Sequence, residues 1–163
     1  RTGHSIEPFT LKKLLLNHDN IIGLKDSVNN PTHTASLALA ARGYKFSVFS
    51  GFDDQYLFNQ SFNGAGSIGG LANIIPEIWH NIITATNEKN ITKSLEYFKF
   101  IHELMPLYGL SPNPSLLFKK LLVHRGVKIS TRSIFPFNQM NPAAYKKAED
   151  LLDSVISEYR LLC

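Results

Sequence analysis

Ile21-Ile22-Gly23-Leu24-Lys25-Asp26-Ser27 is a short apolar run that ends on an amine. The apolar part, residues 21–24, has the length of a strand and is too short for a helix. A lysine at the end of such a strand has two readings. In one, its stem lies on apolar surface and its ammonium reaches water. In the other it is a Schiff-base nucleophile. A lysine in water has a pKa of about 10.4, so only about one in a few thousand is neutral at pH 7. The neutral amine is the form that attacks a carbonyl, and burial can bring a lysine toward ~7–8 by disfavouring its charge.

Working outward from this strand, the pattern alternates helix and strand. Upstream, Pro8 suits a first helical position, and Phe9, Leu11, Leu14, Leu15 and Leu16 supply an apolar face that ends by Asn20. Downstream, residues 31–41 read as an Ala- and Leu-rich helix stopped by Gly43. Residues 44–49 read as a second strand, with Phe46, Val48 and Phe49 β-prone, and Gly51 breaks it. Asp53 and Asp54 sit where carboxylates favour a helix start, before a helix over 55–62 ended by Asn63-Gly64. Residues 65–70 read as a third, glycine-rich strand. Strands alternating with helices predict βα units and a parallel sheet. Their uniformly hydrophobic character predicts that both sheet faces are covered.

After Gly70 the strands stop. Helices are predicted over 76–87, with Ile78, Trp79, Ile82 and Ile83 inward, and over 91–108, with Leu95, Phe98, Ile101, Leu104 and Met105 inward. Pro106 is expected to distort the last turn of the second. Two more helices are predicted over 114–125 and 142–159, joined by a connector over 127–141 that holds Ile134-Phe135-Pro136-Phe137. The expected organisation is 1–90 as β/α barrel units and 91–163 as a C-terminal helical region. No internal repeat of fixed period is present.

Bulk properties narrow the function classes. The chain has 163 residues, 44% hydrophobic and 18% charged, which fits a soluble globular domain with a core. No apolar run approaches the ~20 residues that span a bilayer. The formal charge of +4 is dispersed, and Lys12-Lys13, Lys119-Lys120 and Lys146-Lys147 read as polar helix faces. Nucleic acid and membrane are therefore not expected partners. The single cysteine, Cys163, excludes an internal disulfide and fits a reducing compartment, here taken as the cytoplasm. His4, His18, His33, His80, His102 and His124 show no metal-ligand spacing, and no phosphate loop or dinucleotide fingerprint occurs, so neither metal nor cofactor is expected. Tyr56, Phe58 and Phe62 read as helix core, as do Tyr97, Phe98 and Phe100. The chain opens on Arg1-Thr2-Gly3 without an initiator Met or signal peptide, which suggests a piece of a longer protein.

Three strand ends carry polar or glycine residues: Lys25-Asp26-Ser27, Ser50-Gly51 and Ile68-Gly69-Gly70. In a closed β/α barrel the strand C-termini line the active site. Glycines there would let a substrate approach the backbone. The order and spacing of Arg1-Thr2-Gly3, Ile22-Gly23-Leu24-Lys25-Asp26-Ser27, Phe49-Ser50-Gly51-Phe52-Asp53-Asp54, Gly66-Ser67-Ile68-Gly69 and Asn73 resemble the dihydrodipicolinate synthase and N-acetylneuraminate lyase family. Asn113-Pro114 and Ile134-Phe135-Pro136 resemble its C-terminal helical region.

The resemblance implies the C-terminal part of a TIM (β/α)8 barrel and a class I aldolase, a pyruvate-dependent lyase needing no cofactor. Lys25 matches the lysine that forms an imine with pyruvate or another 2-oxo acid. Gly51 matches a backbone position beside the substrate. Asp53 and Asp54 match acidic positions that contact the hydroxylated portion in sugar-acid lyases; as residues alone they equally read as helix N-caps. Ile68 and Gly69 match the wall near the imine, and Arg1 matches a carboxylate-binding arginine of the synthase branch. Lys25-Asp26-Ser27 with Gly51-Phe52-Asp53-Asp54 looks most like the 2-keto-3-deoxy sugar acid aldolases. The synthase branch usually has Lys-Glu at that place, and sialate lyases tend to carry a hydroxyl residue where this chain has Gly70. The alternatives are a 4-hydroxy-tetrahydrodipicolinate synthase, an N-acetylneuraminate lyase, or a non-catalytic member that only binds a 2-oxo acid.

Two family features are absent from these residues: a Gly-Thr-Thr-Gly type carboxylate loop and the tyrosine of a Tyr-Asn-x-Pro motif, expected just before Arg1. The expectation is a C-terminal half-barrel that requires an N-terminal half, is neither stable nor active alone, and belongs to a homo-oligomer, a tetramer by resemblance. Half a barrel leaves unpaired edges and an uncovered core.

Overall fold

Helix α1 (Pro8–Asn17) begins at a proline, whose missing N–H removes no intrahelical bond in the first turn. Leu11 and Leu15, one turn apart, are its buried residues. Phe9 and Leu16, expected on the same face, are instead 67% and 72% exposed. At about 100° per residue both fall nearly opposite the Leu11–Leu15 stripe. The computed structural model describes residues 3–162, in two compact units that meet in sequence at Gly69 and Gly70.

The first unit is built on a parallel sheet of β1 (Gly23–Asp26), β2 (Ser47–Ser50) and β3 (Gly66–Ser67), in that order. Helix α2 (Pro31–Ala40) joins β1 to β2. A 3₁₀ turn (Asp53–Gln55) and α3 (Tyr56–Ser61) join β2 to β3. The first two strands sit later than the hydrophobic runs suggest, and the third, expected over 65–70, is confined to Gly66–Ser67. The ladder pairs Gly23 with Ser47 and Asp26 with Ser50, so backbone pairing carries β1 through two charged residues. Tyr44 is held in the turn after α2, its N–H on Ala41 O at 3.0 Å, which delays β2. Asn30 caps α2 by accepting from Thr32 N at 3.1 Å.

Side chains alternate across a strand, so each register row has one face. Leu24 packs on a core cluster of Leu11, Leu15, Leu37, Ala40 and Ala41, joined by Phe46. Its row partner Val48 is 4% exposed. That face is the helix-covered one. The opposite face carries the row Lys25–Phe49–Gly66, in which Lys25 is exposed and the other two are half-buried. The expectation of two covered faces thus holds for one face only, because the helices of this unit pack on the Leu24–Val48 side.

The second unit is helical: α4 (Pro76–Asn87), α5 (Ile91–Leu104), α6 (Pro114–His124) and α7 (Pro142–Leu162). The α-helix expected to reach residue 108 gives way after Leu104 to a 3₁₀ segment (Met105–Gly109) that contains Pro106. Ile83 and Leu95, expected inward, are 44% and 56% exposed. Arg125, just past α6, grips both carboxylate oxygens of Glu77 at 2.7 and 3.2 Å and donates to Ile74 O, tying the end of α6 to the start of α4. Asn113 caps α6 through Leu116 N at 3.3 Å and donates its amide to Phe137 O at 2.6 Å, which anchors the 127–141 connector. Phe100 is fully buried and meets the Tyr159 ring edge-on at 5.7 Å. Phe100→Ala should destabilise the protein by about 3–5 kcal/mol. Urea unfolding checks this, and a loss under about 1 kcal/mol would place Phe100 outside the core.

Candidate functional site

The site grows from the adjacent C-terminal ends of β1 and β2. Beyond their last pair, Asp26 with Ser50, Gly51 N donates to Asp26 O at 2.6 Å. A Cβ on Gly51 would lie 2.1 Å from Ser27 Oγ, 2.7 Å from Asp26 O and 2.9 Å from Lys25 Cε. Only a hydrogen fits there, so glycine serves close approach at this position. The Lys25 stem and the Ser27 hydroxyl therefore both lie against the Gly51 backbone.

A cavity of about 550 Å³ opens beside this strand end, lined by Lys25, Asp26 and Ser27 together with His4 and Ser5 of the leading segment. His4 thus joins the site, although its sequence position beside no other histidine gave no reason to single it out. Lys25 itself is exposed among the described residues. The dry amine anticipated for a Schiff-base lysine is therefore not found within them, because the face that carries Lys25 has no helix of its own unit over it.

The third strand end adds a wall. Ile68 N donates to Ser50 O at 2.9 Å, and the Ile68 side chain is 48% exposed. Asp53 is fully buried, and a Cβ on Gly69 would come within 2.0 Å of its Oδ1. Asp53 therefore backs the chain at Gly69 rather than lining open space. Asp54 is partly buried and keeps Oδ1 shielded without a hydrogen-bond partner. Neither carboxylate is the N-cap of its turn, a position held by Phe52. Gly70 N donates to Tyr108 Oη at 2.8 Å within the second unit, and a Cβ there would strike Phe118 and that hydroxyl. Arg1 lies outside the described residues.

Behind Lys25, on the helix-covered face, is a cluster that the sequence reading missed. Asp26 is 5% exposed. Its Oδ2 meets His33 Nδ1 at 2.9 Å and accepts from Thr34 Oγ1 at 2.6 Å, while Oδ1 accepts from Val28 N at 3.2 Å. The available signal was an acidic residue a few positions before a helix start, where the helix dipole favours negative charge. Among the described residues no group of three His, Cys, Asp or Glu side chains is arranged to hold a metal, and no helix is long and apolar enough to cross a membrane.

The sequence profile of the dihydrodipicolinate synthetase family matches residues 1–155. The chain is 28% identical over 153 residues to the probable 2-dehydro-3-deoxy-D-pentonate aldolase of Escherichia coli K12, covering 93% of this chain and 51% of that protein. It is also 28% identical over 162 residues to a 4-hydroxy-tetrahydrodipicolinate synthase of Thermoanaerobacter sp. X514, covering 99% and 52%. The fold matches the crystal structure of an E. coli K12 prophage protein of the dihydrodipicolinic acid synthase family in complex with pyruvate. The TM-score is 0.90 at 24% identity, over 95% of this chain and 53% of that one. The chain spans about half the length of the curated relatives it matches.

Proposed function

This chain belongs to the dihydrodipicolinate synthetase family, and on that footing we propose that Lys25 is the Schiff-base lysine of a pyruvate-dependent class I aldolase. The observation that carries the proposal is the placement of the amine: C-terminal end of β1, open face of the sheet, Cε seated against Gly51. The neutral amine adds to C2 of pyruvate, and loss of water gives an imine, protonated on nitrogen. That cation accepts the electron pair released when C3 gives up a proton, or when the bond from C3 to the former aldehyde carbon breaks. In the forward direction the enamine so formed attacks an aldehyde. Water then adds to the imine, returning the free lysine and a 2-oxo acid.

Such chemistry needs an amine shielded from water. We assign the shielding to a preceding half-barrel whose strands would flank β1 and β3 and close over the Lys25–Phe49–Gly66 face. The twofold greater length of the relatives supports this, as does the parallel three-stranded sheet; residues 1–90 would then supply barrel units and 91–163 the C-terminal helical region. On this reading the isolated chain is inactive, the working protein is a homo-oligomer, and the pyruvate-binding groups absent from these residues belong to the preceding half.

The substrate class we favour is a 2-keto-3-deoxy sugar acid. The match to a pentonate aldolase supports it, as does Asp26 beside Lys25. Asp54 Oδ1, shielded and without a partner, offers an acceptor for a sugar hydroxyl. Asp53 and Gly69 act together as the wall beside Ile68, with Asp53 holding the glycine backbone from behind. A second reading, the 4-hydroxy-tetrahydrodipicolinate synthase, is favoured by Arg1 and by the Thermoanaerobacter match across nearly the whole chain.

Borohydride reduction of the full-length protein in the presence of pyruvate tests the proposal. Peptide mass mapping should find one reduced pyruvyl group on Lys25. Binding of pyruvate without an adduct would reject the aldolase and leave a 2-oxo-acid binder. With the adduct in hand, turnover with glyceraldehyde or glycolaldehyde rather than aspartate semialdehyde separates the sugar-acid aldolase from the synthase.

A further inference from the structure

We propose that His33 and Thr34 of α2 are positioning residues for Lys25, acting through the buried carboxylate of Asp26; the inference rests on the aldolase reading of Lys25. Asp26 follows Lys25 on β1, and strand alternation sends the two side chains to opposite faces. Asp26 is held from three directions. Its carboxylate takes His33 Nδ1 at 2.9 Å and Thr34 Oγ1 at 2.6 Å from α2, and Val28 N at 3.2 Å from the turn after the strand. Its carbonyl takes Gly51 N at 2.6 Å. Asp26, the residue bonded directly to Lys25, is thereby held by its side chain to α2 and by its carbonyl to the end of β2. The Lys25 stem starts from that held stretch of strand, and its Cε lies against Gly51.

The clamp depends on the histidine ring being oriented. A proton on Nδ1 donates to the carboxylate, and Nε2 is then a shielded nitrogen with no partner among the described residues. No other hydrogen bond holds the ring among the described residues, so Asp26 orients the ring and the ring orients Asp26. Thr34 is 1% exposed and Asp26 5%, so with the ring in place the carboxylate depends on these protein donors rather than on bulk water. A buried carboxylate deprived of a donor turns to find another. Any such turn moves the main chain of Lys25, and a displacement of about 1 Å in a reacting group can cost about a hundredfold in rate.

The test is single-turnover borohydride trapping of pyruvate on the full-length protein, for wild type, His33→Ala and His33→Asn. The asparagine amide can donate from the position of Nδ1. His33→Ala should slow trapping about tenfold to a hundredfold with the pyruvate concentration dependence unchanged and the thermal midpoint lowered, because an orphaned buried carboxylate also costs stability, and His33→Asn should recover most of the rate. Trapping by His33→Ala within twofold of wild type would overturn the inference. So would a joint fall in rate and thermal midpoint that His33→Asn does not recover, since that marks a merely structural histidine. If wild type forms no adduct, the aldolase reading falls first and the inference falls with it, whereas a trapping wild type with an indifferent His33 sinks the inference alone.

Discussion

Lys25→Ala is expected to abolish the borohydride-trapped adduct and to lower carbon–carbon bond cleavage or formation by on the order of 10⁴-fold or more, as loss of a covalent nucleophile does. Folding should be unaffected. Lys25 is exposed, and its Cε lies against the Gly51 backbone. Truncating an exposed side chain usually changes stability by less than about 0.5 kcal/mol. Lys25→Arg sharpens the test. It keeps the positive charge and most of the reach, but a guanidinium stays protonated and cannot add to a carbonyl. Both variants should therefore be folded and unreactive. An adduct that persists in either, on another lysine, would remove Lys25 from the chemistry.

Gly51→Ala should have the next largest effect. The new methyl would sit 2.7 Å from Asp26 O, a backbone atom that already accepts from Gly51 N. Relieving that contact means parting the ends of β1 and β2. The other two contacts, Ser27 Oγ at 2.1 Å and Lys25 Cε at 2.9 Å, are side-chain atoms that can rotate away, but a rotated Lys25 has left its place. We expect a trapping rate lower by about a hundredfold or more. Overpacking should cost about 1–3 kcal/mol in stability. Trapping kinetics and urea unfolding measure the two parts separately. An alanine variant that traps pyruvate at the wild-type rate would mean that the working lysine does not lie over Gly51.

The parts of the fold that a reader of the sequence can find are those written in local chemistry. Gly51 breaks the second strand because of what lies beside it, and a glycine at a strand end is visible in the sequence. Pro8, Pro31, Pro76, Pro114 and Pro142 all stand at helix starts. The strand limits are less visible. Apolar residues at 21–24 suggested a strand ending before Lys25, whereas the partner strand carries the ladder through Asp26. Hydrophobicity records burial, and pairing is a property of two segments at once. The face of α1 was misjudged for a related reason: Leu14-Leu15-Leu16 offers three adjacent phases, and only packing against Leu37 and Ala40 selects Leu15. The Asp26–His33–Thr34 cluster was invisible because it joins a strand to a helix across a turn. A lone histidine near a helix start carries no mark of its partner. The exposure of Lys25 follows from tertiary arrangement alone, and no property of the residues around it in sequence announces it.

The two register rows at the strand ends bear differently on how this protein can change. Asp26, Ser50 and Ser67 form a row on the helix side, in which Ser50 is fully buried and Asp26 nearly so. Lys25, Phe49 and Gly66 form the other, and Ile68 continues it beyond β3. A library randomised at Phe49 and Ile68 should yield many folded variants with altered aldehyde preference. One randomised at Asp26 and Ser50 should yield mostly unfolded chains. Substitution is thereby tolerated on one side of a ribbon three strands wide, while packing holds the other side fixed.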